Sequence, residues 1–266
     1  MLQILRDMTM IGKIQASADV RILFLGDSIT ADGLYIRLAE EWLNKHRPDT
    51  ELKLLARGVP SETASGLSEA EHPFPRPCIH DRLAKELAEA APDIVIACYG
   101  MNDGIYHPLS EGRFAAYQNG MRRLSAQISE AGAKVILMTP PPFDAVSMKG
   151  PLQPGTAADF SYLKPYEEYD KVLERYAAWL LSGGCPADGV IDMRTPLVTH
   201  IRQARSADSS YSYGDGIHPD ASGHRVMAQV LLQELFQAGP EVPADAEDPG
   251  DPRAKERIDK QNRPGL

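Results

Sequence analysis

Four residues of this chain have the types and local settings that acyl-transfer chemistry needs: Ser28, Asn102, Asp215 and His218. Ser28 sits in Gly26-Asp27-Ser28-Ile29-Thr30, directly after the short apolar run Arg21-Ile-Leu-Phe-Leu25. A serine at the carboxyl end of a strand, just ahead of a helix, presents its hydroxyl at the sheet rim with backbone amides around it. Asn102 sits in Gly100-Met101-Asn102-Asp103-Gly104, after another such run. Its side-chain amide can donate to a developing oxyanion, and the flanking glycines permit the tight bend. In Asp215-Gly216-Ile217-His218-Pro219 a carboxylate precedes a histidine by three residues. Such a carboxylate can bond the ring Nδ1, which fixes the tautomer and leaves Nε2 to accept a proton. Six other histidines, at positions 46, 72, 80, 107, 200 and 224, lack this combination of local partner and rim position.

Each fragment also has an ordinary structural reading. Ser28 or Thr30 can cap a helix, the Asn102 segment is made of common turn residues, and an Asp–His pair can be purely structural. Their placement along the chain decides between the readings. Short apolar runs at Arg21–Leu25, Glu51–Leu55, Asp93–Cys98 and Lys134–Met138, with a weaker one at Gly189–Asp192, are bounded by breakers and too short for helices. Between them, helical periodicity appears at Leu34, Leu38, Trp42 and Leu43, at Leu83, Leu87 and Ala91, and at Phe114, Tyr117, Met121, Leu124 and Ile128. Two later stretches follow, one through Tyr169, Val172, Tyr176 and Leu180, the other through Val226, Val230, Leu231 and Leu235. Gly132 and Gly183-Gly184 read as helix stops.

Five alternations of strand and helix predict an α/β fold with parallel strands joined by crossover helices. Runs apolar on both faces, such as Ile94-Val-Ile-Ala, fit strands covered from both sides, which gives a three-layer α/β/α sandwich. The site of such a fold lies outside the carboxyl ends of the strands. Ser28 follows strand one, Asn102 follows strand three, and Asp215 and His218 precede the last helix, so they converge near one edge. Nucleophile, base, orienting carboxylate and oxyanion donor are then all present.

Composition narrows the class of function. The 266 residues carry a formal net charge of −9, which disfavours a general nucleic-acid or anionic-membrane binder. No apolar run approaches the roughly 18 residues of a spanning helix. Residues 1–19 read as an N-terminal extension without a continuous apolar signal core, residues 20–238 as the domain that carries the candidate site, and residues 239–266 as a polar tail. Cys78, Cys98 and Cys185 form neither a disulfide framework nor a zinc pattern, so the expectation is a reduced, cytoplasmic protein.

The three fragments together resemble the SGNH hydrolases, the GDSL esterase/lipase family. Gly26-Asp27-Ser28-Ile29 matches the nucleophile block, Gly100-Met101-Asn102-Asp103 the GxND block, and Asp215-Gly216-Ile217-His218-Pro219 the DxxHP block, in the family's order over roughly residues 20–238. The resemblance implies a flavodoxin-like parallel five-stranded sheet, ester hydrolysis by a serine nucleophile, and no metal or other cofactor. One block departs from the pattern. In Ala56-Arg57-Gly58-Val59-Pro60-Ser61-Glu62-Thr63, alignment on the acidic-Thr pair puts Ser61 where the family has a glycine and Ala56 where it has an asparagine. A backbone N–H survives that exchange. The expected oxyanion hole is therefore the amides of Ser28 and Ser61 with the side chain of Asn102, Gly58 being the alternative amide.

The expected substrate is a small-molecule or carbohydrate ester. No segment has the character of an interfacial lid, and the rim segments carry Arg57, Ser61, Arg76, Tyr106 and Tyr213. That rim suits a hydroxyl-rich alcohol and a short, acetyl-type acyl group. The proline-rich stretches His72–Pro77 and Pro140–Phe143 either shape the pocket or stiffen loops, and Tyr211 and Tyr213 are equally open. The same site chemistry serves an acyltransferase or a longer-chain lipase or thioesterase. From other classes come a metal-dependent phosphoryl-transfer enzyme using Asp27, Asp103 and Asp215, and a carbohydrate-binding module that keeps the fold without activity.

Overall fold

The first strand, β1 (Val20–Gly26), is buried along almost its whole length because it pairs on both sides. It runs parallel to β2 (Leu52–Gly58) on one side and to β3 (Ile94–Cys98) on the other. Beyond β3 lie β4 (Lys134–Met138) and β5 (Gly189–Ile191), both parallel, giving the order β2-β1-β3-β4-β5. This five-stranded sheet is the flavodoxin-like arrangement expected, with its reversal of strand order between β1 and β3. In this computed structural model residues 20–49 and 51–237 are described. The expected N-terminal extension and polar tail lie outside the described residues.

Alternation of side chains sends β1 into two cores. Ile22 and Phe24 pack with α1 (Ser28–Asp32), α2 (Leu34–His46), α6 (Arg194–Ala207) and α7 (Ala221–Phe236). Leu23 and Leu25 pack on the opposite face with α3 (Leu83–Ala90), α4 (Glu111–Glu130) and α5 (Tyr169–Leu181). Helices therefore cover both faces, and the three layers follow from the doubly apolar strands. Gly132 and Gly183, after α4 and α5, carry left-handed φ values of 87° and 77°, as helix stops require.

Three local details depart from the sequence expectation. β2 runs three residues past Leu55, because Ala56, Arg57 and Gly58 pair in register with Phe24, Leu25 and Gly26. An edge strand needs backbone partners rather than apolar side chains to continue. Helix α6 was not anticipated: only Leu197, Ile201 and the Arg194 stem are buried along it, too narrow a stripe to stand out as a period. The cap of α1 is neither Ser28 nor Thr30. Asp27 accepts from the Ile29 amide at 3.0 Å, which leaves the Ser28 hydroxyl uncommitted to the backbone.

Candidate active site

The reversal between β1 and β3 puts the ends of both strands side by side, so Ser28 and Asn102 enter the same crevice. The loop ahead of α7 brings His218 to them. Ser28 Oγ lies 2.7 Å from His218 Nε2, and His218 Nδ1 lies 2.9 Å from Asp215 Oδ2. The other carboxylate oxygen of Asp215 accepts from the amides of Ile217 at 2.9 Å and His218 at 2.7 Å. These contacts explain the three-residue spacing, since the carboxylate both folds the turn and reaches the ring. Partial burial works to raise the Asp215 carboxyl, but hydrogen bonds from the His218 ring and the two amides overcome it and hold it down at about 2. The bond from Asp215 raises the His218 ring above the ordinary histidine value of 6.5, against the opposing effect of burial.

The loop carrying this pair is clamped from outside. Asp144 donates its amide to the Gly216 carbonyl at 2.8 Å, and its carboxylate is gripped by Arg205 and by the Ser147 hydroxyl. Ser147 in turn accepts from the Tyr213 amide at 2.7 Å. Gly216 has φ of 92°, and a Cβ there would sit 2.6 Å from the Asp144 carbonyl, so the close approach requires glycine.

Next to the end of β1 runs the loop that follows β2, its Val59 amide donating to the Gly26 carbonyl at 3.0 Å. Ser61 has φ of 66°, the left-handed conformation that favours glycine, in keeping with its alignment to a glycine of the family pattern. Gly58 lies instead inside β2, where α1 crosses so closely that a Cβ would be 2.1 Å from the Ala31 amide nitrogen. Neighbours hold this loop tightly. Asp103 Oδ1 accepts from the amides of Ala64 and Ser65 at 2.8 and 2.7 Å. Burial raises the Asp103 carboxyl to about 6, against those donors. The buried Glu62 carboxylate takes a forked pair of bonds from Arg82, both 2.7 Å, and one from the Tyr99 hydroxyl at 2.7 Å.

Asn102 is buried at the junction of these parts. Its Oδ1 accepts from Arg76 Nη1 and from the Tyr106 hydroxyl, each at 3.0 Å. Its Nδ2 donates to the Glu62 carbonyl at 3.3 Å, with a second N–H to spare. Beside Ser28, burial lifts the Asp27 carboxyl to about 7 despite the Ile29 amide. The arrangement holds a hydroxyl against an oriented imidazole, the pairing that nucleophilic attack on a carbonyl requires.

Several expectations for the rim need correction. Arg76, Tyr106 and Tyr213 are all buried, and only Arg57 of the expected polar set is exposed, leaning toward Glu86 at 3.5 Å. Composition reveals which residues lie in a loop but not which way they point. Within Pro140–Phe143 all four residues are buried, with Pro140 packed against Gly100, so that stretch stiffens the fold. Tyr211 bonds Asp220 and stands beside His200 and Ser222, a structural cluster at the start of α7. Phe74 is 53% exposed and rests edge-on against His72, whose Nε2 is 3.3 Å from Ser61 Oγ. Glu69, Arg82 and Tyr99 do not stand out in the sequence, and Glu62 enters only as an alignment anchor, because buried polar contacts between loops leave no periodic signature. Asp27, Asp103 and Asp215 are each engaged as described. Among the described residues no group of three or more His, Cys, Asp and Glu side chains is placed to hold a metal ion. No helix among them is long and apolar enough to cross a membrane.

Known proteins share this fold. No curated protein matches the chain in sequence. Its fold is similar to that of a gut microbial diltiazem-metabolizing enzyme, with a TM-score of 0.65 at 19% identity; the match covers 84% of this chain and 48% of that one, so the chain spans about half the length of that protein. An acetylxylan esterase from Geobacillus stearothermophilus matches with a TM-score of 0.55 at 18% identity, over 84% of this chain and 96% of that one. An α/β hydrolase from the metagenome of Lake Arreo, Spain, matches with a TM-score of 0.54 at 20% identity, over 84% and 97% of the two chains. In sequence, the model of the GDSL-like Lipase/Acylhydrolase family matches residues 24–226, a span that contains Ser28, Asn102, Asp215 and His218. The chain belongs to the GDSL-like lipase/acylhydrolase family of serine ester hydrolases.

Proposed function

We propose that this protein is a serine esterase for short, acetyl-type esters, with a carbohydrate hydroxyl as the leaving group. The observation that carries the reading is the continuous chain from Ser28 Oγ through the His218 ring to Asp215, at 2.7 and 2.9 Å. Ser28 Oγ attacks the ester carbonyl carbon as its proton passes to His218 Nε2. Asp215 stabilises the imidazolium that forms. The carbonyl oxygen, now an oxyanion, receives the amides of Ser28 and Ser61 and the free N–H of Asn102. Collapse expels the alkoxide, which takes the proton from Nε2, and an acyl group remains on Ser28. Water then repeats the sequence with His218 as base, releasing the acid and the free serine.

The interior behind Asn102 supports a short acyl group. It is occupied by the Arg76–Glu69 ion pair and Glu62, so a long chain directed inward meets charge rather than apolar surface. Exposed Phe74 and the neighbouring rings of His72 and Tyr162 offer an aromatic face outside the crevice, suited to a sugar ring. The acetylxylan esterase among the structural neighbours is in line with this reading.

A p-nitrophenyl ester series from acetate to palmitate tests the acyl preference. Each methylene buried in a fitting trough contributes about 0.8 kcal/mol, so a lipase or thioesterase shows kcat/KM climbing steeply with chain length. The expected result is a maximum at acetate or propionate. A maximum at octanoate or longer overturns the proposal.

A further inference from the structure

Behind Asn102 lies a fully buried ion pair that the serine mechanism does not itself employ. The side chains of Arg76 and Glu69 are only 1% and 2% exposed, joined by two bonds of 2.6 and 2.7 Å. Burying such a pair is often no better for stability than packing apolar groups of similar volume, so its presence asks for another reason. The reason lies in the guanidinium's remaining donors. Nη1 reaches Asn102 Oδ1 at 3.0 Å and the Ser61 carbonyl at 3.3 Å. One planar cation thus grips both Asn102 and Ser61, the two residues that the esterase reading places in the oxyanion hole with Ser28. Tyr106 adds a second donor to Asn102 Oδ1, and its ring lies against the guanidinium at 5.5 Å.

We propose that Arg76, neutralised by Glu69, is a positioning residue of the oxyanion hole, acting through Asn102 and Ser61. This rests on the esterase reading above. Two donors on Oδ1 force the Asn102 amide to present Nδ2 toward the crevice, since the opposite orientation would set N–H against N–H. They also draw electron density toward Oδ1 and make the free Nδ2–H a stronger donor, as chained hydrogen bonds do. At Ser61, a non-glycine residue in left-handed backbone is intrinsically disfavoured, and the Arg76 bond to its carbonyl opposes the flip. Glu69 keeps the site from carrying a net positive charge when no oxyanion is present. Lysine cannot substitute, because it lacks the planar fork that serves Glu69 and Asn102 together.

The test is a double-mutant cycle on p-nitrophenyl acetate with Arg76→Met, Tyr106→Phe, Asn102→Ala and the two doubles containing Asn102→Ala, each with its melting temperature. Asn102→Ala is expected to lower kcat about 10²–10³-fold, as for loss of one oxyanion donor. Arg76→Met should lower kcat by roughly tenfold or more with KM changed less than about threefold, since the lost interaction belongs to the transition state. In the Asn102→Ala background the same change should cost far less, because the group it acts through is gone. Equal cost in both backgrounds, or a folded Arg76→Met protein with unchanged kcat, overturns the proposal. Should Arg76→Met not fold, Tyr106→Phe carries the cycle: it removes one donor to Asn102 and leaves the ion pair, and strict additivity with Asn102→Ala overturns the proposal equally. Failure of the esterase reading is distinguishable, because then wild type turns over no ester at all.

Discussion

At the scale of single residues, each polar group of the proposed site has partners that fix its orientation. Asp215 shows this well, with one oxygen spent on the turn amides and the other on the ring. The consequence is a pH dependence whose sign follows from the shift. His218 accepts a proton only when neutral, and Asp215 raises its proton affinity above the ordinary value of 6.5. Activity, as kcat/KM, is therefore expected to rise with pH and reach half its plateau above 6.5. Asp215→Asn removes the chief cause of that rise, so the limb should move to lower pH while the plateau falls on the order of 10⁴-fold through loss of the correct tautomer. A profile flat from pH 5 to 9, or a limb unmoved in Asp215→Asn, contradicts the assignment. These residues were legible in sequence because their partners are close in the chain or sit in short blocks. Arg76 and Glu69 were not, since what matters about them is that they point inward, and nothing in the spacing of seven residues says so.

At the scale of elements, the strands were legible wherever both faces are apolar. β3 and β4 were found within a residue because they are central and covered from both sides. The end of β2 was missed because an edge strand continues on hydrogen bonds alone. Helix α6 was missed because its buried stripe is thin. One tightly constrained junction is the one between β2 and α1. At Gly58 a Cβ would lie 2.1 Å from the Ala31 nitrogen and 2.6 Å from the Asp27 carbonyl oxygen, both backbone atoms that cannot swing away. Gly58→Ala is therefore expected to push α1 outward, cost about 1–3 kcal/mol of stability, and lower kcat because Ser28 is the first residue of α1. Gly112→Ala is the matched control. Its Cβ would meet nothing within 4 Å, and replacing a helical glycine there should raise stability by about 0.5–1 kcal/mol. Thermal melts of the two variants check both signs. A Gly58→Ala protein as stable and active as wild type would show that the α1 contact is unimportant.

At the scale of the whole molecule, the proposed site rests on one topological fact. The strand order reverses between β1 and β3, which opens a crevice at their carboxyl ends and brings together residues up to 190 apart in sequence. That fold was readable from alternation of apolar runs with helical periods, and the convergence of the blocks was readable from their order. The character of the mouth was not. A count of arginines and tyrosines suggested a polar rim, whereas Arg76, Tyr106 and Tyr213 turned inward and left Phe74 outside, because orientation in a loop is set by tertiary contacts. The proposed chemistry depends on one atom, the Ser28 hydroxyl oxygen. The most direct test is the turnover of p-nitrophenyl acetate by purified Ser28→Ala protein whose melting temperature matches wild type. Removal of the nucleophile should lower kcat on the order of 10⁶-fold, leaving only what binding and the oxyanion donors supply. Turnover within tenfold of wild type by that folded variant would contradict the assignment of Ser28 and, with it, the site.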